Sequence, residues 1–268
     1  MPVAHNRQID IHWDESGSGD PLILIMGLGY TSEMWGRVAP ALSDRYRTIV
    51  FDNRGVGRSS AAAGPYSIKD MADDTVAVLD AAGVEKAHVF GVSMGGMIAQ
   101  EMALQHPGRV RSLILGATNC GGREATPAAA EVIGILNARA TMSPDEGVRS
   151  MVPFIYDAST PRSRVEEDLA IRLRTYPKPE NYLAQLRAIL SWGSHSRLGE
   201  ISVPTLIIHG ESDALAPPAN ALILANAIPG ASLAMLPDAS HIFPTDQPDV
   251  SIQTVLSFLN GVQSDQSA

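Results

Sequence analysis

Residues 87–96 read Ala87-His88-Val89-Phe90-Gly91-Val92-Ser93-Met94-Gly95-Gly96, and this stretch decides the fold. Ala87–Val92 is a short apolar run of strand type, and a helical pattern, Met94–Gln105, follows the serine. A Gly-x-Ser-x-Gly at such a strand-to-helix junction places the serine on a very tight turn, its hydroxyl projecting from the sheet edge. Side chains two residues to either side would collide there. Gly91 and Gly95 meet that demand, and Gly96 lets the helix approach closely. Ser93 is therefore the candidate nucleophile, with Gly91 and Gly95 forming its elbow.

Similar apolar runs lie at Pro21–Met26, Tyr46–Phe51, Val110–Leu115, Val203–His209 and Ala231–Leu236. They read as strands buried on both faces. Helical patterns alternate with them. Ser67 caps a helix starting at Ile68, with Asp70 three residues on and Gly83 as its stop. Pro218–Ile228 and Val250–Leu259, the latter ending before Asn260-Gly261, are two more. This alternation predicts an α/β fold with a mostly parallel sheet. Val3–Asn6 and Ile9–Glu15 predict an antiparallel hairpin at one edge.

Between Asn119 and Glu200 the strand runs stop. Helix-like segments Thr126–Ala140, Pro144–Met151, Arg164–Arg174 and Asn181–Trp192 replace them. The strand pattern resumes at Val203. Residues 119–200 are therefore predicted to be a helical cap inserted into a core domain made of residues 1–118 and 201–268. A segment of that size is not expected to bury a core alone.

A serine hydroxyl needs a base, normally histidine, oriented by a carboxylate. Of the seven histidines, His241 follows the run Ala231–Leu236 in the loop Pro237-Asp238-Ala239-Ser240-His241. A parallel strand ends at the sheet edge where Ser93 turns, so that loop can reach it. His5 and His12 fall in the hairpin, His88 and His209 in strands, His106 at a helix end and His195 in the cap. For the carboxylate, Glu211 is too close to its strand end and Asp238 too close to His241. Asp213 in Gly210-Glu211-Ser212-Asp213 fits. The chain order is Ser93, Asp213, His241.

Together with Met26-Gly27-Leu28-Gly29 and Asp52-Asn53-Arg54-Gly55-Val56-Gly57-Arg58-Ser59, these motifs carry a resemblance. The chain resembles the α/β-hydrolase fold superfamily with a helical cap. Within it, the chain is similar to small bacterial carboxylesterases, enol-lactonases and cofactor-free haloperoxidases (perhydrolases). The resemblance implies an oxyanion hole made by the backbone N–H groups of Leu28 and Met94, and a structural role for Asp52 and Arg54. It implies hydrolysis of carboxylic esters with small to medium acyl groups through an acyl-enzyme. The same scaffold supports 3-oxoadipate enol-lactonase-like lactone opening, perhydrolysis, carbon–carbon bond hydrolysis and non-enzymatic ligand reception. One departure stands out: Met26-Gly27 replaces the His-Gly of many relatives, which removes an imidazole able to hydrogen-bond the loop.

Composition narrows the partners. The balance of 20 Lys+Arg against 29 Asp+Glu leaves a net charge of −9. Such a surface repels phosphate backbones and anionic membranes, so neither nucleic acid nor membrane is an expected partner. Pro21–Leu28, the longest apolar stretch, is too short to span a bilayer. The N-terminus lacks an apolar leader, so the expected location is cytoplasmic. Cys120 is the single cysteine. No His/Cys/Asp spacing suggests a metal, and no cofactor is implied. The expected partner is a small-molecule ester or lactone; the oligomeric state is left open. Met26 and Met94, among 10 methionines, suit an adaptable apolar pocket. Trp35, Phe154, Tyr156, Tyr176, Tyr182 and Trp192 read as packing residues. An anionic substrate would need cations, and the cap offers Arg139, Arg149, Arg162, Arg164, Arg172, Arg174 and Arg187 without showing which point inward.

Overall fold

The apolar runs become the strands of one eight-stranded sheet: β1 (Val3–Asn6), β2 (Ile9–Ser16), β3 (Pro21–Ile25), β4 (Arg47–Phe51), β5 (Ala87–Val92), β6 (Val110–Gly116), β7 (Thr205–Gly210) and β8 (Ser232–Leu236). Their order across the sheet is β1-β2-β4-β3-β5-β6-β7-β8. The structure is a computed structural model, and it describes residues 2–266. β3 to β8 pair in parallel, whereas β2 runs antiparallel to both β1 and β4. The expected hairpin edge is thus present. β5 and β7 are buried at every position, while β2 alternates and edge strand β8 begins exposed.

Because strand side chains alternate between faces, each central strand feeds two cores. Ile23 and Ile25 join Val89, Leu113 and Ile207 on one face; Leu22 and Leu24 join Phe90, Ile114 and Ile208 on the other. The helices between β3 and β6 are α1 (Ala39–Ser43), α2 (Ile68–Ala81) and α3 (Met94–Gln105). α2 starts in a capping box, with the Ser67 hydroxyl and the Asp70 carboxylate each bonding the other residue's backbone N–H. It stops at Gly83, whose φ of 67° lies in the left-handed region. Met71, Leu79, Met97 and Ile98 from α2 and α3 fill the first core.

Between β6 and β7 lie α4 (Ala130–Ala138), α5 (Pro144–Arg149), α6 (Val152–Ile155), α7 (Arg162–Arg174) and α8 (Pro179–Leu190). The first two helices are shorter than the expected Thr126–Ala140 and Pro144–Met151, each for a local reason. Thr126 is tied to Asn220 through both its N–H (2.8 Å) and its carbonyl (2.9 Å), so the chain before Ala130 stays out of the helix. Pro153 has no N–H to give Arg149, which separates α5 from α6. The two ends of this excursion are stapled. Gly121 pairs antiparallel with Gly193, Gly122 N–H bonds the Trp192 carbonyl at 3.1 Å, and Ser194 N–H bonds the Cys120 carbonyl at 2.8 Å. The excursion carries an apolar cluster built from Val132, Val148, Met151, Ile155, Val165 and Leu169, and Ile242 of the body completes it. Cys120 is a fully buried free thiol.

After β7 come α9 (Ala219–Ala227), α10 (Phe243–Asp246) and α11 (Pro248–Gln266). α11 runs past the Gly261 expected to end it. A glycine costs a helix only ~1 kcal/mol, and Val262 is buried beyond it. Among the described residues no helix is long and apolar enough to cross a membrane.

Candidate active site

Ser93 sits at φ 59° and ψ −122°, where non-glycine residues are strained by ~1–3 kcal/mol. Four hydrogen bonds hold it there. Its N–H bonds the Gly116 carbonyl (2.9 Å), and its own carbonyl accepts from Gly96 N–H (2.9 Å), Met97 N–H (3.3 Å) and the Thr118 hydroxyl (2.7 Å). The glycines follow from sterics. A Cβ on Gly91 would lie 2.1 Å from the Gly95 carbonyl oxygen, and one on Gly95 would lie 2.0 Å from that of Ile25. The turn is thus wedged against the end of β3. Met94 is the first residue of α3, so its N–H has no acceptor within its own helix.

The loops after β7 and β8 bring Asp213 and His241 together. They press so closely that a Cβ on Gly210 would lie 2.4 Å from the carbonyls of Ala239 and Ser240. His241 Nδ1 donates to Asp213 Oδ2 at 2.9 Å. Asp213 Oδ1 accepts from the backbone N–H groups of Leu215 (2.9 Å) and Ala216 (2.7 Å). His209, not singled out in the sequence, adds its Nε2 at 3.2 Å from Oδ2 and 2.7 Å from the Ala216 carbonyl. Burial works to raise the Asp213 carboxyl, but the two imidazoles outweigh it and hold it down at about 2. Glu211 and Asp238 are exposed.

Ser93 and His241 line one cavity of about 260 Å³. Leu28, Met26, Met94, Met97 and Met151 line it too, so the methionine-rich apolar pocket is present. The expected packing aromatics do not line it. Trp35 packs at a tilt against Phe90 in the core (ring centroids 5.0 Å apart), and Trp192 bonds Glu101 (2.8 Å). Tyr30, overlooked in the sequence, is the aromatic in the wall. Gly27 passes close enough to Ser93 that a Cβ on it would lie 3.0 Å from Ser93 Cβ. Without the His-Gly imidazole, this loop is fixed otherwise: Asn53 Nδ2 bonds the Met26 carbonyl (2.9 Å), and buried Gln185 of α8 accepts from Gly29 N–H (2.8 Å). The Asp52–Ser59 loop is scaffolding. Asp52 accepts from Ser32 N–H and hydroxyl, and Arg54 pairs with buried Asp74 at 2.6 Å. Arg58 lies beside Asp14 and Asp52, outside the cavity wall.

A family model described as the alpha/beta hydrolase fold matches residues 20–248. The chain belongs to the α/β-hydrolase family. It is a hydrolase of that fold. A provisionally named carbamate hydrolase, RutD, of Azorhizobium caulinodans is 34% identical over 265 residues, spanning 96% of this chain and 98% of that one. The solved enol-lactonase of Burkholderia xenovorans LB400 is 27% identical, with a TM-score of 0.87, and covers 97% of this chain and 100% of its own. A thermophilic esterase of Thermogutta terrifontis is 27% identical, with a TM-score of 0.84 and 97% of both chains covered.

In this α/β hydrolase a second carboxyl stands next to the histidine loop. Asp246 Oδ2 accepts from Ser240 N–H (2.7 Å), and Oδ1 accepts from the Thr160 hydroxyl of the excursion (2.6 Å). Burial pushes the Asp246 carboxyl up to about 6, against the hydrogen bonds from Thr160 and Ser240 that pull it down. The folded state therefore holds this proton more tightly than the unfolded chain does. The resulting stability is fully present below the ordinary carboxylate value of 3.8 and is lost as pH rises through about 6. Thermal melts of wild type and Asp246→Asn between pH 4 and 7 check this. The wild type is expected to lose Tm relative to the variant as pH rises; parallel profiles would contradict the assignment.

Proposed function

We propose that this chain hydrolyses carboxylic esters with small to medium acyl groups through Ser93, His241 and Asp213. The observation that carries the reading is the convergence on one cavity of a strained, positive-φ serine and a histidine hydrogen-bonded to a fully buried carboxylate. Ser93 Oγ attacks the acyl carbon while His241 Nε2 takes its proton. Asp213 fixes the tautomer that leaves Nε2 free to accept and stabilises the imidazolium. The N–H groups of Leu28 and Met94 hold the oxyanion, donors of a kind typically worth ~3 kcal/mol each. His241 then protonates the leaving alkoxide and activates water for deacylation. Residues 119–200 serve as the cap, and residues 1–118 with 201–268 as the catalytic body.

The cavity supports the substrate size. Ligand pockets commonly span ~300–1,000 Å³, and about 260 Å³ lies just below that range. Lactones fit the same chemistry, because opening a cyclic ester leaves both halves in one product. The likeness to the solved enol-lactonase supports including them. A carbamate carbonyl is attacked in the same way, but its nitrogen donates into the carbonyl and slows both acylation and deacylation. The test is a matched series of p-nitrophenyl butyrate, small lactones and p-nitrophenyl carbamates. The esters and lactones are expected to turn over faster; a carbamate with the highest kcat/KM would replace the ester reading.

A further inference from the structure

Arg139 is the one member of the cavity wall, among the described residues, that carries a permanent charge, and no Asp or Glu lines that wall. The residue is 4% exposed. Its neighbours are aromatic. The guanidinium lies 4.9 Å over the Tyr182 ring, with Tyr30 and Tyr176 also near. Its Nε is buried and has no hydrogen-bond partner. Burying a guanidinium without a carboxylate is costly, and proteins normally pair such a charge. Other arginines of the cap stand at the surface and are paired there, Arg149 with Asp145 at 2.9 Å and Arg174 with Glu33. A second buried guanidinium, Arg172, lies 4.8 Å over the ring of Tyr30, and all three of its nitrogens lack hydrogen-bond partners. Tyr30 is itself in the wall, so the Arg172 charge sits one ring behind the cavity.

A protein of net charge −9 has thus set in the wall of its apolar reaction cavity a buried guanidinium that, among the described residues, has no carboxylate partner, and a second guanidinium one ring behind it. The missing counter-charge is most simply supplied by the substrate. We infer that Arg139 determines specificity, and that the cavity takes esters or lactones bearing a carboxylate away from the scissile carbonyl. The inference rests on the ester-hydrolase reading of the site and narrows it to anionic substrates. The guanidinium fork suits a carboxylate, which accepts two parallel N–H bonds.

The test uses mono-p-nitrophenyl esters of glutaric, adipic and pimelic acids, each beside its neutral twin in which the free carboxylate is a primary amide. A second arm places the carboxylate in the alcohol, using acetates of hydroxyalkanoic acids and of their amides. In at least one arm the wild type is expected to prefer the anion. Arg139→Met is expected to lower kcat/KM for that anion about 10–100-fold, the usual cost of a lost charge-assisted hydrogen bond. The neutral twin should be nearly unaffected, and Arg139→Lys should recover part of the loss. Equal losses on both twins would make Arg139 structural and overturn the inference. So would a wild type without anion preference in either arm. If Arg139→Met does not fold, inhibition of wild-type p-nitrophenyl acetate hydrolysis by alkanoates and by alkanamides of equal length decides. The inference predicts that the acids bind more tightly, and equal inhibition overturns it. Failure of the ester-hydrolase reading looks different: the wild type would hydrolyse neither twin, or Ser93→Ala would still hydrolyse both.

Discussion

Ser93→Ala is expected to lower kcat for p-nitrophenyl butyrate about 10⁶-fold, the loss usual when the nucleophile of such a unit is removed. The fold should survive. The Ser93 backbone is held by Gly116, Gly96 and Thr118 through main-chain atoms that alanine keeps. Alanine also occupies no more space than serine beside Gly27. Replacing the residue therefore removes only the attacking oxygen. Some rate above that of water should persist, because the Leu28 and Met94 N–H groups still polarise a bound carbonyl. Melting temperature and kcat measured on the same preparation separate the two effects. An unchanged Tm with undiminished turnover would remove Ser93 from the mechanism.

Asp213→Asn is expected to cost about 10⁴-fold in kcat, and the structure says why so small a change matters so much. Oδ1 accepts two backbone N–H groups, from Leu215 and Ala216. An asparagine must keep its carbonyl oxygen there, so its NH₂ takes the place of Oδ2. That NH₂ faces His241 Nδ1 and His209 Nε2. To accept from it, His241 must give up its Nδ1 proton and carry the proton on Nε2. The nitrogen that should take the serine proton is then already protonated. His209 faces the same conflict but keeps the Ala216 carbonyl as acceptor. The loss should thus fall on kcat, with KM little changed. A variant of near wild-type kcat would show that the carboxylate is a packing group.

Much of the fold was legible because its decisive elements obey local rules. β5 and β7 are buried on both faces and so are written in mostly apolar residues, with His88, Thr205 and His209 as the exceptions. α2 is marked at both ends, by a capping box and a left-handed glycine. The Ser93 turn was legible because two carbonyls leave no room for a Cβ at positions 91 and 95. What escaped the sequence depends on the path of the excursion or on contacts between distant loops. That Arg139 turns inward while Arg149 pairs with Asp145 follows from how short helices stack, and short helices carry little periodicity. His209 looked like the end of a strand; its approach to Asp213 arises only where the chain turns back after Gly210. Gln185 and Asn53, which fix the loop at Met26–Gly29, belong to segments far away in sequence. No local pattern announces either one.

The central claim is that Ser93 is the group that becomes acylated, with His241 and Asp213 behind it. A p-nitrophenyl alkylphosphonate tests it most directly, because it mimics the tetrahedral intermediate and remains on the nucleophile it meets. The account predicts complete loss of ester hydrolysis with release of one equivalent of p-nitrophenolate. The phosphonyl group should lie on the peptide that contains Ser93, and Ser93→Ala should take up none. Full activity in the presence of saturating reagent, or an inactivating adduct on any other residue, would contradict it.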